Sequence, residues 1–459
     1  MSKPPLLIPV ENQVRELDAK VLLSCFAAER GYDAYVGWKG TIDNHINDFP
    51  SSVYFAKSLT ERSVKIFKIS RLLGHSIIAW DEEAIVHYPP EVYYTRRLSS
   101  EALGMAEHLL AWGQDNKTLF QGFPSFPDTP IEIVGNPRGD LLRPEFRPFF
   151  DRRVEEIKRQ YGDFILFNTN FGTINGYYPQ ANVCYAEDNA PDGLALGRGA
   201  IGFTRDFAVR LFTYRTQVLE KFKQLVPDVA RAFPDRTIVL RPHPAENRDF
   251  WREHLQEFDN VHVEAEGNVV PWLLASSVLV HNGCTTAVEG YILQRPVIAY
   301  VPLAGGEDFA VNPPNAVSDV AATVPEVIEK IGAVFDEAPI TVNDPGRDDI
   351  LGQFISSLDG DFAVSKIMDC VDAQGHNGGA PVLKRTVGSA FARGRRFVKK
   401  LKTTQNTGRY SVSFKQQKFP DVTVETLRDK IAHLSRLGGL RKRFEVENVL
   451  PDVFRVRST

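Results

Sequence analysis

Short apolar runs of strand length recur along the chain, separated by stretches of helical spacing, and they do so in two series. The first series comprises LLIPV (6–10), YDAYVG (32–37), SVYFA (52–56), HSIIAW (75–80), LLAWG (109–113) and IEIVG (131–135). Helical spacing fills residues 15–30, closed by Gly31, and residues 61–73. Parallel strands need a crossover, usually a helix, so this alternation predicts βαβ units and a parallel sheet. Gly135-Asn136-Pro137-Arg138-Gly139-Asp140, Pro144, Pro148 and the charged helix DRRVEEIKRQYG (151–162) interrupt the pattern. It then restarts with FILFNTNF (164–171), RTIVLRPHP (236–244), VHVEAE (261–266), VLVHNG (278–283) and PVIAYVP (296–302), with helices at 206–226, 269–277 and 285–293. The prediction is an α/β chain of two Rossmann-like lobes, 1–140 and 141–375, whose parallel sheets face a ligand cleft at the strand C-termini. From residue 376 the chain is basic, Gly-containing and weakly periodic; 376–459 reads as an appended tail with one helix at 424–436.

Composition narrows the function. An apolar fraction of 43% with 24% charged residues is that of a globular protein, and a net charge of −4 argues against a nucleic-acid binder. Cys25, Cys184, Cys284 and Cys370 lie far apart, without metal-ligand or disulfide spacing, which points to a reducing, cytoplasmic compartment. No window has the length of apolar chain that spans a bilayer. Charge is uneven, however. Cations from Lys384 through Arg393, Arg395, Arg396, Lys399, Lys400 and Arg409 to Arg441-Lys442-Arg443 meet few acids, so the tail expects a polyanionic partner.

Four segments carry candidate chemistry. In HNGCTTAVEG (281–290) a Gly turn opens a helix, so Asn282, Gly283, Thr285 and Thr286 can cradle an anion, with Glu289 in reach of a neighbouring sugar. The plainer alternative has Thr285 capping the helix and Glu289 completing a capping box. Arg241-Pro242-His243-Pro244 leaves a strand end in a stiff extended loop, where His243 can donate to a phosphate oxygen; alternatively it is a surface turn, with Glu246 and Arg248 facing solvent. Asp81-Glu82-Glu83 sets three acids at a strand tip, where mutual repulsion raises a pKa toward general-base range, or where they form a solvated loop. Asn168, Asn170 and Gly172 in NTNFGTIN, together with Asn136 and Arg138, suit either substrate hydrogen bonds or turn and hinge structure.

Read in order, REL-DAK, AWDEE, GNPR-DLL, NTNFG, RPHP and HNGCTTAVEG resemble the bacterial surface carbohydrate biosynthesis proteins, regarded as GT-B-like glycosyltransferases, over residues 6–303. A more distant similarity is to bacterial sialyltransferases and Kdo transferases that use CMP-activated sugars. That resemblance implies an acidic motif at Glu82-Glu83-Ala84, with Ala84 where the family has Gly, supplying the base. It implies a His-Pro motif at His243-Pro244 on the nucleotide and a hydroxyl pair at Thr285-Thr286 on the phosphate; Ser276-Ser277 competes for the last role. The implied activity is transfer from a CMP-linked Kdo or nonulosonic acid to a glycan or lipid-linked acceptor, with no metal and no cofactor beyond the nucleotide-sugar donor. Such acceptors sit at the inner leaflet, so the resemblance makes an anionic membrane surface the expected partner of the tail, with Phe391, Phe397, Val398 and Leu401 among the headgroups. Three alternatives remain: a UDP-sugar 2-epimerase-like enzyme, a polyol-phosphate transferase, and a non-catalytic capsule-assembly scaffold.

Overall fold

The computed structural model describes residues 3–336, 344–374, 379–404, 415–416, 418–420 and 422–459. The chain divides into two compact units. The first is built from 3–84, 97–149 and 353–459, the second from 85–96 and 150–352.

In the first unit the strands are β1 (Leu6–Val10), β2 (Ala34–Trp38), β3 (Val53–Ala56), β4 (Ser76–Ala79), β5 (His108–Ala111) and β6 (Ile131–Ile133). They pair in parallel in the order β2-β1-β3-β4-β5-β6. β1 and β3 are buried at every position, as strands covered on both faces must be. The order reverses between β1 and β3, the switch point at which open α/β sheets form a crevice.

The second unit carries β7 (Phe164–Asn168), a small hairpin of β8 (Cys184–Ala186) and β9 (Leu194–Leu196), then β10 (Thr237–Arg241), β11 (Val261–Val263), β12 (Val278–His281), β13 (Val297–Tyr300) and β14 (Asp319–Ala321). Its main sheet is wholly parallel, in the order β11-β10-β7-β12-β13-β14, so the chain winds outward in both directions from β7. The helix Arg205–Ala232 lays Leu211, Val218, Phe222, Leu225 and Val229 along one face against this sheet. It runs past Pro227, where the sequence reading ended it. Pro227 has no N–H for the Lys223 carbonyl, and His254 Nε2 donates to that carbonyl instead, at 2.8 Å.

The boundaries differ from those read in the sequence. Residues 353–374 belong to the first unit: the buried Asp140 carboxylate accepts the Ala363 and Val364 amides at 2.8 and 2.9 Å, and Arg143 donates to the Ser357 and Gly360 carbonyls. Nor is 376–459 an appendage. β15 (Phe444–Leu450) and β16 (Val453–Ser458) form an antiparallel hairpin, and β16 pairs with β2 to extend the first sheet to eight strands. Inward Val446, Phe454 and Val456 are buried, while outward Glu445–Arg457 and Glu447–Arg455 pair across the hairpin in register. The helix Val382–Thr404 packs on Glu61–Leu73 at Gly388 and Ala392, and Val424–Leu437 packs on Gln13–Glu29. Arg409 lies outside the described residues.

Candidate functional site

Asn168 closes β7 between its two neighbours, paired in register with Arg241 at the end of β10 and with His281 at the end of β12. The loops that leave these three strands therefore share one rim, at the switch point of the sheet. His243 and Thr285 both follow that rim. They do so from strands on either side of β7.

The rim is held together by a residue that only the surface-turn alternative considered, as part of a solvated face. Glu246 is fully buried, and its carboxylate accepts hydrogen bonds from the Phe171 amide (2.8 Å), the His243 amide (3.1 Å), the Thr169 hydroxyl (3.0 Å to each oxygen) and Trp251 Nε1 (3.0 Å). Burial pushes its carboxyl up from the ordinary value, and the four donors act against that shift. Thus one carboxylate fastens the Asn-Thr-Asn-Phe loop, the His-Pro loop and the helix Arg248–Leu255 to one another.

His243 itself is exposed. Its Nδ1 accepts the Ala245 amide at 3.2 Å, which puts the proton of the neutral ring on Nε2 and makes that nitrogen the donor. A Cβ on Gly172 would sit 3.1 Å from His243 Nδ1, so the absence of a side chain there lets the two loops close together. Arg241 points elsewhere: its guanidinium donates to the Glu266 and Gly267 carbonyls and lies 4.6 Å from the Trp272 ring. Burial lowers its pKa to about 10, and its groups serve the 264–267 turn. Pro244 is exposed beside His243.

Across β7, Asn282 Oδ1 accepts the Asn170 amide at 2.8 Å, and Arg215 donates to the Asn170 carbonyl at 2.9 Å. Gly283 has φ +83°, the left-handed region that glycine fills without strain. Its amide donates to Nδ1 of the fully buried His281 at 3.0 Å, so His281 Nε2 carries the proton and donates to Ser318 Oγ at 2.9 Å; Ser318 in turn donates to the Pro314 carbonyl. Burial drives the His281 pKa down to about 3 and keeps this relay neutral. Thr285 makes no capping hydrogen bond, so the capping-box alternative is not formed. Thr286 lies beside the Cys284 thiol, and Glu289 is buried one turn into the seven-residue helix Thr286–Ile292.

The loop after β13 adds two residues that sequence reasoning missed. A Cβ on Gly283 would lie 3.6 Å from Asn312 Oδ1 and 3.9 Å from Asn315 Oδ1, so both carboxamides stand over the turn. Their buried Oδ1 atoms, with Asn168 Oδ1 and Asn282 Nδ2, have no hydrogen-bond partner among the described residues. Buried polar atoms are rarely left so, and these four belong to the rim and the turn beside it.

In the first unit the acidic tip differs from its expected electrostatics. The three acids do not confront one another; each has its own cation. Asp81 pairs with Arg97, Glu82 with Lys20 at 3.1 Å and Glu83 with Arg15 at 2.7 Å. Desolvation pushes the Glu83 carboxyl up, but Arg15, then Arg97 and Arg138, more than reverse this and hold it well below the ordinary range. Lys20 also holds the buried Glu16 and the Pro9 carbonyl, and Lys57 pairs with Glu16 and Glu11, so a buried ion network fills the β1/β3 switch point. The Glu82 side chain is 3% exposed, and its second oxygen, Oε2, is buried with no hydrogen-bond partner among the described residues. Asn136 caps the short helix Pro137–Asp140 through the Arg138 amide at 2.9 Å, and Arg138 lies over Trp112, 5.6 Å from its ring.

No family model and no curated protein matches the sequence. Solved structures do. The wall teichoic acid polymerase TagF, as a histidine-to-asparagine variant soaked with CDPG, aligns at 11% identity over 81% of this chain and 88% of its own, with a TM-score of 0.50. The fold is GT-B-like. The Methanocaldococcus jannaschii UDP-GlcNAc 2-epimerase aligns at 10% identity over 81% of this chain and all of its own, TM-score 0.48, and a putative UDP-N-acetylglucosamine 2-epimerase from Listeria monocytogenes at 11%, over 83% and all of its own, TM-score 0.47. The GT-B-like assignment concerns architecture: two units, each with a run of parallel strands whose C-terminal ends gather polar side chains. Among the described residues no cluster of His, Cys, Asp and Glu has the makings of a metal site, and no helix is long and apolar enough to cross a membrane.

Proposed function

We propose that the chain is a glycosyltransferase of surface-glycan assembly and that the β7 rim of its second unit binds the nucleotide of an activated sugar, with a cytidine nucleotide first in line. One observation carries the reading: His243, Asn170, Asn282 and the Gly283 turn follow three adjoining strand ends at one rim, and buried carboxamide atoms of Asn168, Asn282, Asn312 and Asn315 have no hydrogen-bond partner among the described residues. The motif resemblance supplies the cytidine preference, and the GT-B-like fold is compatible with it.

In the proposed reaction the bond between the anomeric carbon and the phosphate oxygen breaks, and the acceptor hydroxyl oxygen bonds that carbon. The nucleotide leaves with the electron pair, and His243 Nε2–H hydrogen-bonds its developing charge. The hydroxyl proton goes to a general base, the role that the motif resemblance implies for Glu82. Arg15 holds its neighbour Glu83 as a weak base.

Thermal-shift measurements with CMP, CDP, UMP and UDP test the binding half. A cytidine nucleotide is expected to raise the melting temperature most, and His243→Ala to weaken its affinity about tenfold through one lost charge-assisted hydrogen bond. Stabilisation by UDP alone would favour the epimerase-like alternative. No response to any nucleotide would overturn the proposal.

A further inference from the structure

The helix Val382–Thr404 has two unlike faces. One is docked. Gly388 lies so close to the Glu61–Leu73 helix that a Cβ would come within 2.9 Å of Leu72, Ala392 is buried, and Arg395 and Arg396 donate to the Asp43 and Asn44 carbonyls and pair with Asp43 and Asp48. The opposite face is apolar. At about 100° per residue, Leu383, Val387, Phe391, Phe397, Val398 and Leu401 fall within an arc of about 120°. Leu383 is 77% exposed, Phe391 59% and Phe397 63%. Scattered exposed apolar residues need no explanation, but an ordered stripe several turns long does.

The shoulders of the stripe specify what covers it. Residues 382–404 contain no acid. Lys384 flanks the stripe on one side and Arg393 on the other, and no ion pair engages either among the described residues. The inward cations neutralise Asp43 and Asp48, while these outward ones stay available. A second copy of this chain would bring the same positive charge to the same place, and like charges would face each other across the contact. A surface that is apolar at depth and anionic at its boundary matches both features, and a lipid bilayer with anionic headgroups has that arrangement.

We propose that the Val382–Thr404 helix lies on an anionic lipid surface, with Phe391, Phe397 and Leu401 among the acyl-chain boundary and Lys384 and Arg393 at the phosphate level. Because its inner face is docked on the first unit, the helix arrives already formed. This inference is independent of the nucleotide reading.

The test is co-sedimentation of the full chain with vesicles of phosphatidylglycerol and phosphatidylethanolamine, against vesicles of phosphatidylcholine alone. The wild type is expected to pellet with the anionic vesicles, less so as salt rises, and not with the neutral ones. Lys384→Glu with Arg393→Glu, and separately Phe391→Ser with Phe397→Ser, are each expected to lower partitioning about tenfold or more. All four side chains point outward, so the melting temperature should stay that of the wild type, and this is measured alongside. Failure to pellet with anionic vesicles, equal pelleting with neutral ones, or variants that pellet like the wild type would overturn the proposal. So would a dimer, seen by light scattering, that the Phe variants dissolve while no vesicle is bound.

Discussion

Replacing Glu246 with Gln exchanges one acceptor oxygen for an NH2 group and leaves the shape nearly unchanged. The carboxylate accepts from four donors, three of which cannot reverse: the Phe171 and His243 amides on one oxygen and Trp251 Nε1 on the other. The Thr169 hydroxyl can turn and accept. The substituted carboxamide would therefore keep its oxygen toward the two amides and present its NH2 to Trp251, leaving a buried indole N–H facing a donor. A hydrogen bond to a charged group is worth about 1.5–3 kcal/mol, and an unsatisfied buried donor costs about as much, so Glu246→Gln is expected to lose about 2–3 kcal/mol of unfolding free energy. Trp251→Phe removes the stranded donor. In that background the same Gln substitution should cost little, giving a coupling of about 2 kcal/mol in a double-mutant cycle measured by urea denaturation. Equal losses in both backgrounds would refute the view that Glu246 holds the rim through Trp251. Nucleotide affinity, measured on the same four proteins, should fall with the His243 loop in Glu246→Gln.

Two further outcomes follow from the same kind of accounting. His281 takes a proton near 6.5 when unfolded and only near 3 when buried, so the unfolded state binds more protons between those values and stability falls as pH drops through that window. Between pH 7 and 5 this one contribution should be about 2 kcal/mol, read from urea midpoints as the difference between the wild-type and His281→Gln pH slopes; parallel pH slopes would exclude it. A Cβ on Gly37 would drive into the Asp452 carbonyl, which accepts the neighbouring Trp38 amide, so Gly37→Ala should cost about 3 kcal/mol by chemical denaturation, and an unchanged midpoint would show that the hairpin does not press on β2.

The parallel strands and the rim were legible because buried strands write themselves as apolar runs and polar loops follow their C-termini. Asn168, His243 and the Gly283 turn were found in this way. What escaped depends on partners distant in sequence. Glu246, three residues past His243, looks like any loop acid until Trp251 and the Phe171 amide are seen to converge on it. The acids at 81–83 read as mutually repelling because Arg97, Lys20 and Arg15 lie elsewhere in the chain. Asn312 and Asn315 sit in a proline-rich loop with no local signal beyond its turn composition. The hairpin β15–β16 did carry a period-two alternation, masked by basic residues that proved to be one side of cross-strand pairs. At Pro227 a standard breaker was overruled by a His254 donor that no local rule supplies.

The pairing of β16 with β2 orders events during synthesis. The second unit lies between segments of the first, so almost all of it has left the ribosome before the strand that finishes the first sheet has been translated. Until then β2 waits as an unprotected edge, the kind of surface on which nascent chains stick to one another. A chain cut short after residue 443 would keep the β7 rim and still expose that edge permanently. Aggregation, and not lost ligand contacts, would then be its first defect.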